Sequence, residues 1–102
     1  MDAVLPEQDL IETGLKDLRE GRETVAALLV AIGSPRLRGR IGLQLPPDLP
    51  DNPEHRLYDL LALDDSDSAH SRYNALIRRL VSYESAAERA KSNSEDSPLA
   101  DD

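Results

Sequence analysis

The side chains best suited to proton transfer near neutral pH are the two histidines, His55 and His70, because the ordinary pKa of imidazole is about 6.5. Ser66 and Asp67 stand four and three residues before His70, so a serine, an aspartate and a histidine share one helix end. Either Ser66 or Asp67 also suits the N-cap of that helix, where negative charge favours the helix dipole. Because the sequence has no glycine-flanked nucleophile and no evident oxyanion loop, we predict a helix cap and no enzymatic activity.

A metal site would begin with His55 and Asp59, whose i, i+4 spacing places them on one helical face, while the adjacent Glu54 points elsewhere. A zinc site needs three or four ligands, and the sequence has no cysteine, so His70 and an acidic residue of the turn at 64–67 would have to complete it. The paired Glu-x-x-His motifs of di-iron bundles do not occur, nor do the glycine-rich motifs of phosphate-binding loops. We therefore predict no metal, no cofactor and no small-molecule substrate.

Two basic segments suggest nucleic-acid binding as an alternative function. Residues 36–40 read Arg-x-Arg-x-Arg, and Ser71, Asn74 and Arg78 share the polar face of a long C-terminal helix. Arginine and asparagine are the side chains that read guanine and adenine in the major groove. The residues of this alternative site are Arg36, Arg38, Arg40, Asn74, Arg78 and Arg79. In the other interpretation, the helix face is solvated and its arginines pair with the acidic residues that precede the helix.

The charge distribution opposes the nucleic-acid alternative. The 102 residues carry a net charge of −8. By segment, the charge is −4 over 1–23, +3 over 24–47, −6 over 48–67, +3 over 68–92 and −4 over 93–102. Because both basic segments lie between acidic ones, long-range attraction to nucleic acid or to an anionic membrane is disfavoured.

The leading prediction is a non-catalytic protein-interaction or regulatory module that presents its long C-terminal helix. That helix carries two apolar lines, one running from Tyr73 through Leu80 to Ala87 and the other formed by Ile77 and Val81. A small bundle buries one line easily, whereas the second lies either under the proline-rich connector, in a partner, or in a core that wraps the helix on both sides. The candidate interaction residues are Arg72, Tyr73, Arg79, Leu80 and Tyr83, because tyrosine and arginine are enriched at interface hot spots.

The apolar spacing is helical wherever it is periodic. It predicts four principal helices and one short helix, at 7–20, 24–32, 35–40, 53–63 and 68–90. Gly21 suits a left-handed helix stop, and Ser34 and Asn52 each precede a proline in the pattern of an N-cap followed by proline at the first helical position. The fold class is therefore all-α, a small helical bundle with a disordered acidic C-terminal tail.

One domain accounts for residues 1–92, with a proline-rich connector at about 43–52 that lies against the bundle, and residues 93–102 form the tail. The predicted core residues are Leu28, Leu29, Leu60, Leu76 and Leu80. No apolar run reaches the ~18 residues of a membrane span, and the first residues lack the basic and apolar regions of a signal peptide. We therefore expect a cytoplasmic protein. From the long C-terminal helix, we expect its partner to be another protein or a second copy in a homodimer.

Overall fold

The computed structural model describes the backbone of residues 5–100 and the side chains of residues 5–91. In this part of the chain there are five α-helices, one π-helix and no strand. In chain order the helices are α1 (Gln8–Arg19), α2 (Val25–Ile32), α3 (Ser34–Arg36), the π-helix (Leu37–Ile41), α4 (Pro53–Asp64) and α5 (Ala69–Ala100). The predicted all-α bundle of four principal helices is confirmed, and α3 with the π-helix takes the place of the short helix.

The turn between α1 and α2 is held by one hydroxyl. Thr24 accepts a hydrogen bond from the backbone N–H of Ala27 at 3.1 Å and donates one to Oδ2 of Asp17 at 2.7 Å. The first bond caps α2, and the second ties that cap to the last turn of α1. Gly21 adopts φ 77° in this turn, so the predicted left-handed stop is confirmed.

The centre of the core is α2, as its apolar run predicts. Six of its eight residues are buried, and Leu28 and Leu29 are fully so. Leu80 of α5 is also buried, but the predicted core residues Leu60 and Leu76 are only half-buried. In α4 it is Leu57 and Leu61 that are buried, because this i, i+4 pair shares the face towards α2 and Leu60 is rotated about 100° from Leu61.

The proline-rich connector lies against the bundle as predicted, since its leucines Leu43, Leu45 and Leu49 are partly buried against the core. Neither predicted cap before a proline makes its side-chain hydrogen bond. Ser34 is the first residue of α3, which is preceded by Gly33, and Asn52 adopts a left-handed φ of 50° before α4. In both cases only the proline at the helix start agrees with the prediction, because its fixed φ suits the first turn of a helix.

The turn before α5 is organised by Asp65. Its carboxylate accepts hydrogen bonds from the backbone N–H of Asp67 at 3.1 Å and from Oγ of Ser68 at 3.0 Å. The predicted cap by Ser66 or Asp67 is therefore replaced by an aspartate turn one residue earlier. Asp65 is the residue that can fold its side chain back over the amide two positions along.

α5 continues beyond its predicted end at about residue 90, through to Ala100. No glycine or proline interrupts it before Pro98, and extending an existing helix adds one hydrogen bond per ordered residue. Residues 101 and 102 lie outside the described chain, and disorder of the tail over 93–102 stays a prediction. None of the helices described between residues 5 and 100 combines the length and apolar composition needed to cross a bilayer.

Candidate functional site

Two of the predicted interaction residues lie on the buried side of α5. Leu80 is 3% exposed and Tyr83 is 5% exposed, so both belong to the core. Tyr73 is half-buried, with its ring centroid 5.9 Å from that of Tyr58. Arg72 and Arg79 are exposed. The structure therefore divides the five predicted interaction residues between the core and the surface.

Arg72 and Arg79 stand at the edge of a groove of about 260 Å³ on one side of α5. The rest of its lining is apolar and consists of Val25, Leu61, Ala75 and Leu76. Nη1 of Arg72 lies 2.8 Å from Oδ2 of Asp64, and Nη2 of Arg79 lies 2.7 Å from Oε1 of Glu7. Both arginines are thus paired with carboxylates of the same chain.

On the opposite side of α5 lies a second groove of about 280 Å³, here called the α2–α5 groove. It is lined by Ile32, Gly33, Pro35, Arg36, Ile77, Leu80, Val81 and Glu84. Val81 is 44% exposed there, Pro35 is exposed, and Ile32 and Ile77 are half-buried. The second apolar line of α5 therefore faces an open groove and is not covered by the connector.

Polar groups flank this apolar centre along α5. Towards the start of the helix, Nδ2 of Asn74 lies 3.2 Å from Nε2 of His70. Towards its end, Arg36 reaches from α3 to Glu84 and Glu88. An apolar centre with a polar rim is the usual anatomy of a protein–protein interface.

An ion-pair cluster, defined as Arg36, Arg40, Glu84 and Glu88, joins α3 and the π-helix to α5. Nη1 of Arg36 lies 3.2 Å from Oε1 of Glu84, and its Nε donates to Oε2 of Glu88. Arg40 lies 3.9 Å from the other oxygen of Glu88. Lys91 adds a hydrogen bond of 3.3 Å to the carbonyl oxygen of Arg40. The end of the groove is therefore fixed by charged groups from three helices.

The two carboxylates of the cluster have pKa values shifted in opposite directions. Glu84 is only 4% exposed, and burial raises its pKa above the ordinary 4.5, opposed in part by Arg36. The hydrogen bond from Arg36 lowers the pKa of Glu88 below 4.5. Burial therefore dominates at Glu84, whereas the guanidinium dominates at Glu88.

These shifts predict opposite pH dependences for two substitutions. The folded state binds a proton at Glu84 more tightly than the unfolded state does, because the pKa of Glu84 is raised by folding. Relative to Glu84→Gln, the free energy of unfolding of the wild type should therefore fall as the pH rises from 4.5 through this raised pKa. Relative to Glu88→Gln, the wild type should lose free energy of unfolding as the pH falls below 4.5 through the lowered pKa of Glu88. Urea denaturation across this pH range measures both. Parallel curves for all three proteins would contradict the assignment.

The six residues of the nucleic-acid alternative do not form one surface. Arg36 and Arg40 are paired with glutamates, and Arg79 lies on the groove opposite to the side of Asn74. Arg38 and Arg78 are exposed and form no ion pair among the side chains of residues 5–91. Three of the six residues, Arg36, Arg40 and Arg79, thus contact carboxylates of the same chain, and the six together do not supply the single basic surface that phosphate binding needs.

The two histidines have separate surroundings. Nε2 of His55 lies 3.4 Å from Oδ2 of Asp59, so the predicted i, i+4 pair is formed on the surface of α4. His70 contacts Asn74 and makes no hydrogen bond to Ser66 within the described side chains. In the same part of the chain, no three histidine, aspartate or glutamate side chains gather closely enough to hold a metal ion.

Sequence reasoning identified the apolar line of Ile77 and Val81 but not its neighbours in the groove. Ile32 and Pro35 come from other helices, and Glu84 resembles any solvated glutamate in the sequence. The one usable signal was the excess width of the apolar face of α5.

Comparisons with protein-family models, with curated proteins and with solved structures find no match to this chain.

Proposed function

We propose that this protein is a non-catalytic interaction module that binds a partner protein in the α2–α5 groove. The observation that carries the proposal is the 44% exposure of Val81 in an open groove beside Ile32, Pro35 and Ile77. Apolar side chains that form a concave patch with a polar rim are typical of docking sites. The proposed compartment is the cytoplasm, since a chain without cysteine suits a reducing environment.

The groove is built on rigid supports. Leu80, which lines the groove, and Tyr83 anchor α5 in the core, and the ion pairs of Arg36 with Glu84 and Glu88 hold α3 against α5. A surface that is already ordered loses little conformational entropy when a partner binds. The affinity of such a site depends chiefly on how well the partner's apolar side chains fill it.

Selection of a random peptide library on the wild-type protein tests the proposal, because it requires no knowledge of the natural partner. Peptides that bind the wild type should lose about tenfold in affinity for Val81→Asn, which corresponds to ~1.4 kcal/mol. The matched control is Leu63→Asn, since Leu63 is 84% exposed on α4 and does not line the groove. Peptides that bind Val81→Asn as tightly as wild type would overturn the proposal, provided that both variants keep the wild-type melting temperature.

A further inference from the structure

We infer that the segment docking in the α2–α5 groove is acidic as well as apolar, with carboxylates that pair with a basic rim formed by Arg40 and Lys91. This inference rests on the proposed function, because it specifies the partner of the same groove. The rim adjoins the groove through Arg36, which lines the groove and shares Glu88 with Arg40.

Among the side chains of residues 5–91, the charges at this end of the groove do not balance. Two carboxylates of this part of the chain lie here, Glu84 and Glu88, and Arg36 contacts both of them. The cations of the basic rim come in addition to Arg36. Arg40 has a side chain that is 75% exposed and only a 3.9 Å contact with Glu88, while Lys91 is also exposed and its Nζ lies 3.3 Å from the carbonyl oxygen of Arg40. The excess positive charge is therefore accessible to a ligand.

The most acidic segment of the sequence, residues 48–67, contributes no lining residue to the α2–α5 groove. Leu61 of α4 lines the groove of Arg72 and Arg79, whereas no residue of α4 lines the α2–α5 groove. At physiological ionic strength charges are screened over about 8 Å. A bound segment therefore responds mainly to the adjacent basic rim, in spite of the net charge of −8.

The same charges argue against a second copy as the occupant. A two-fold dimer formed through this groove would place two identical basic rims in one interface. The two chains, each with a net charge of −8, would also repel each other during approach. An acidic segment of a different protein is also repelled during approach, but it brings no second basic rim into the interface. Its carboxylates instead pair with the basic rim.

Two synthetic helical peptides test the inference. Both carry the same stripe of leucines, and the remaining positions are glutamate in one peptide and lysine in the other. In a titration followed by amide chemical shifts, the glutamate peptide should move the signals of Ile77 and Val81 and bind at least tenfold more tightly than the lysine peptide. The double substitution Arg40→Gln and Lys91→Gln should weaken the binding of the glutamate peptide several-fold. Arg22→Gln is the control, because Arg22 is exposed on the loop after α1 and pairs with Glu20.

The outcomes separate the inference from the proposed function. Equal or tighter binding of the lysine peptide, with shifts at Val81, would overturn the acidic partner and leave the docking groove in place. Absence of shifts at Ile77 and Val81 with both peptides at millimolar concentration would overturn the groove itself. Self-association in sedimentation velocity that Val81→Asn abolishes would identify a second copy as the occupant and overturn the inference.

Discussion

Replacing Gly14 with alanine is expected to lower the free energy of unfolding by about 3 kcal/mol, the upper part of the range for overpacking. A Cβ atom at this position would lie 2.3 Å from the carbonyl oxygen of Ala26 and 2.5 Å from Cγ2 of Val30. Ala26 belongs to the backbone of α2, the most buried helix, so it cannot move without displacing the core. The close approach of α1 to α2 thus depends on a missing side chain.

Gly39 provides the matched control for this substitution. It also lies in a helical segment, has no positive φ, and a Cβ there would have no atom within 4 Å other than those of its own helix backbone and chain neighbours. Gly39→Ala should therefore raise the free energy of unfolding by ~0.5 kcal/mol, because alanine loses less backbone entropy on folding. Urea denaturation of both variants measures the difference. A loss below about 1 kcal/mol for Gly14→Ala would show that the two helices separate readily.

The helices of this protein are predictable because their signals are local. The apolar run at 25–32 predicts a buried helix, and the structure buries six of those eight residues. Gly21 and the two prolines at helix starts are equally local, since each restricts its own φ. These features depend on neighbouring residues along the chain, which the sequence displays directly.

The candidate site is harder to predict because it depends on residues that are distant in sequence. Arg36 and Glu84 are separated by 48 positions, and no spacing rule connects them. Glu84 is buried and Glu88 is paired with Arg36 only because α3 and the π-helix pack against α5 at this position. Tyr83 shows the reverse case, because its residue type suggested an interface while its position on the line of Leu80 placed it in the core.

Truncation of Leu28 is the second large effect that we expect. Leu28 is fully buried in α2, and α2 contacts α1, α4 and α5. Truncation of a fully buried leucine leaves a cavity that the surrounding helices close only in part. Leu28→Ala should therefore lower the free energy of unfolding by about 4 kcal/mol, within the range measured for buried leucines.

Leu63→Ala separates the loss of packing from the change of residue type, because Leu63 is also helical but is 84% exposed. Its effect on the free energy of unfolding should stay within about 0.5 kcal/mol, as for other exposed positions. The midpoints of urea denaturation compare the two variants directly. A loss below about 1 kcal/mol for Leu28→Ala would show that α2 is not the centre of the core. The α2 wall of the α2–α5 groove would then lack the rigid support that we assign to it.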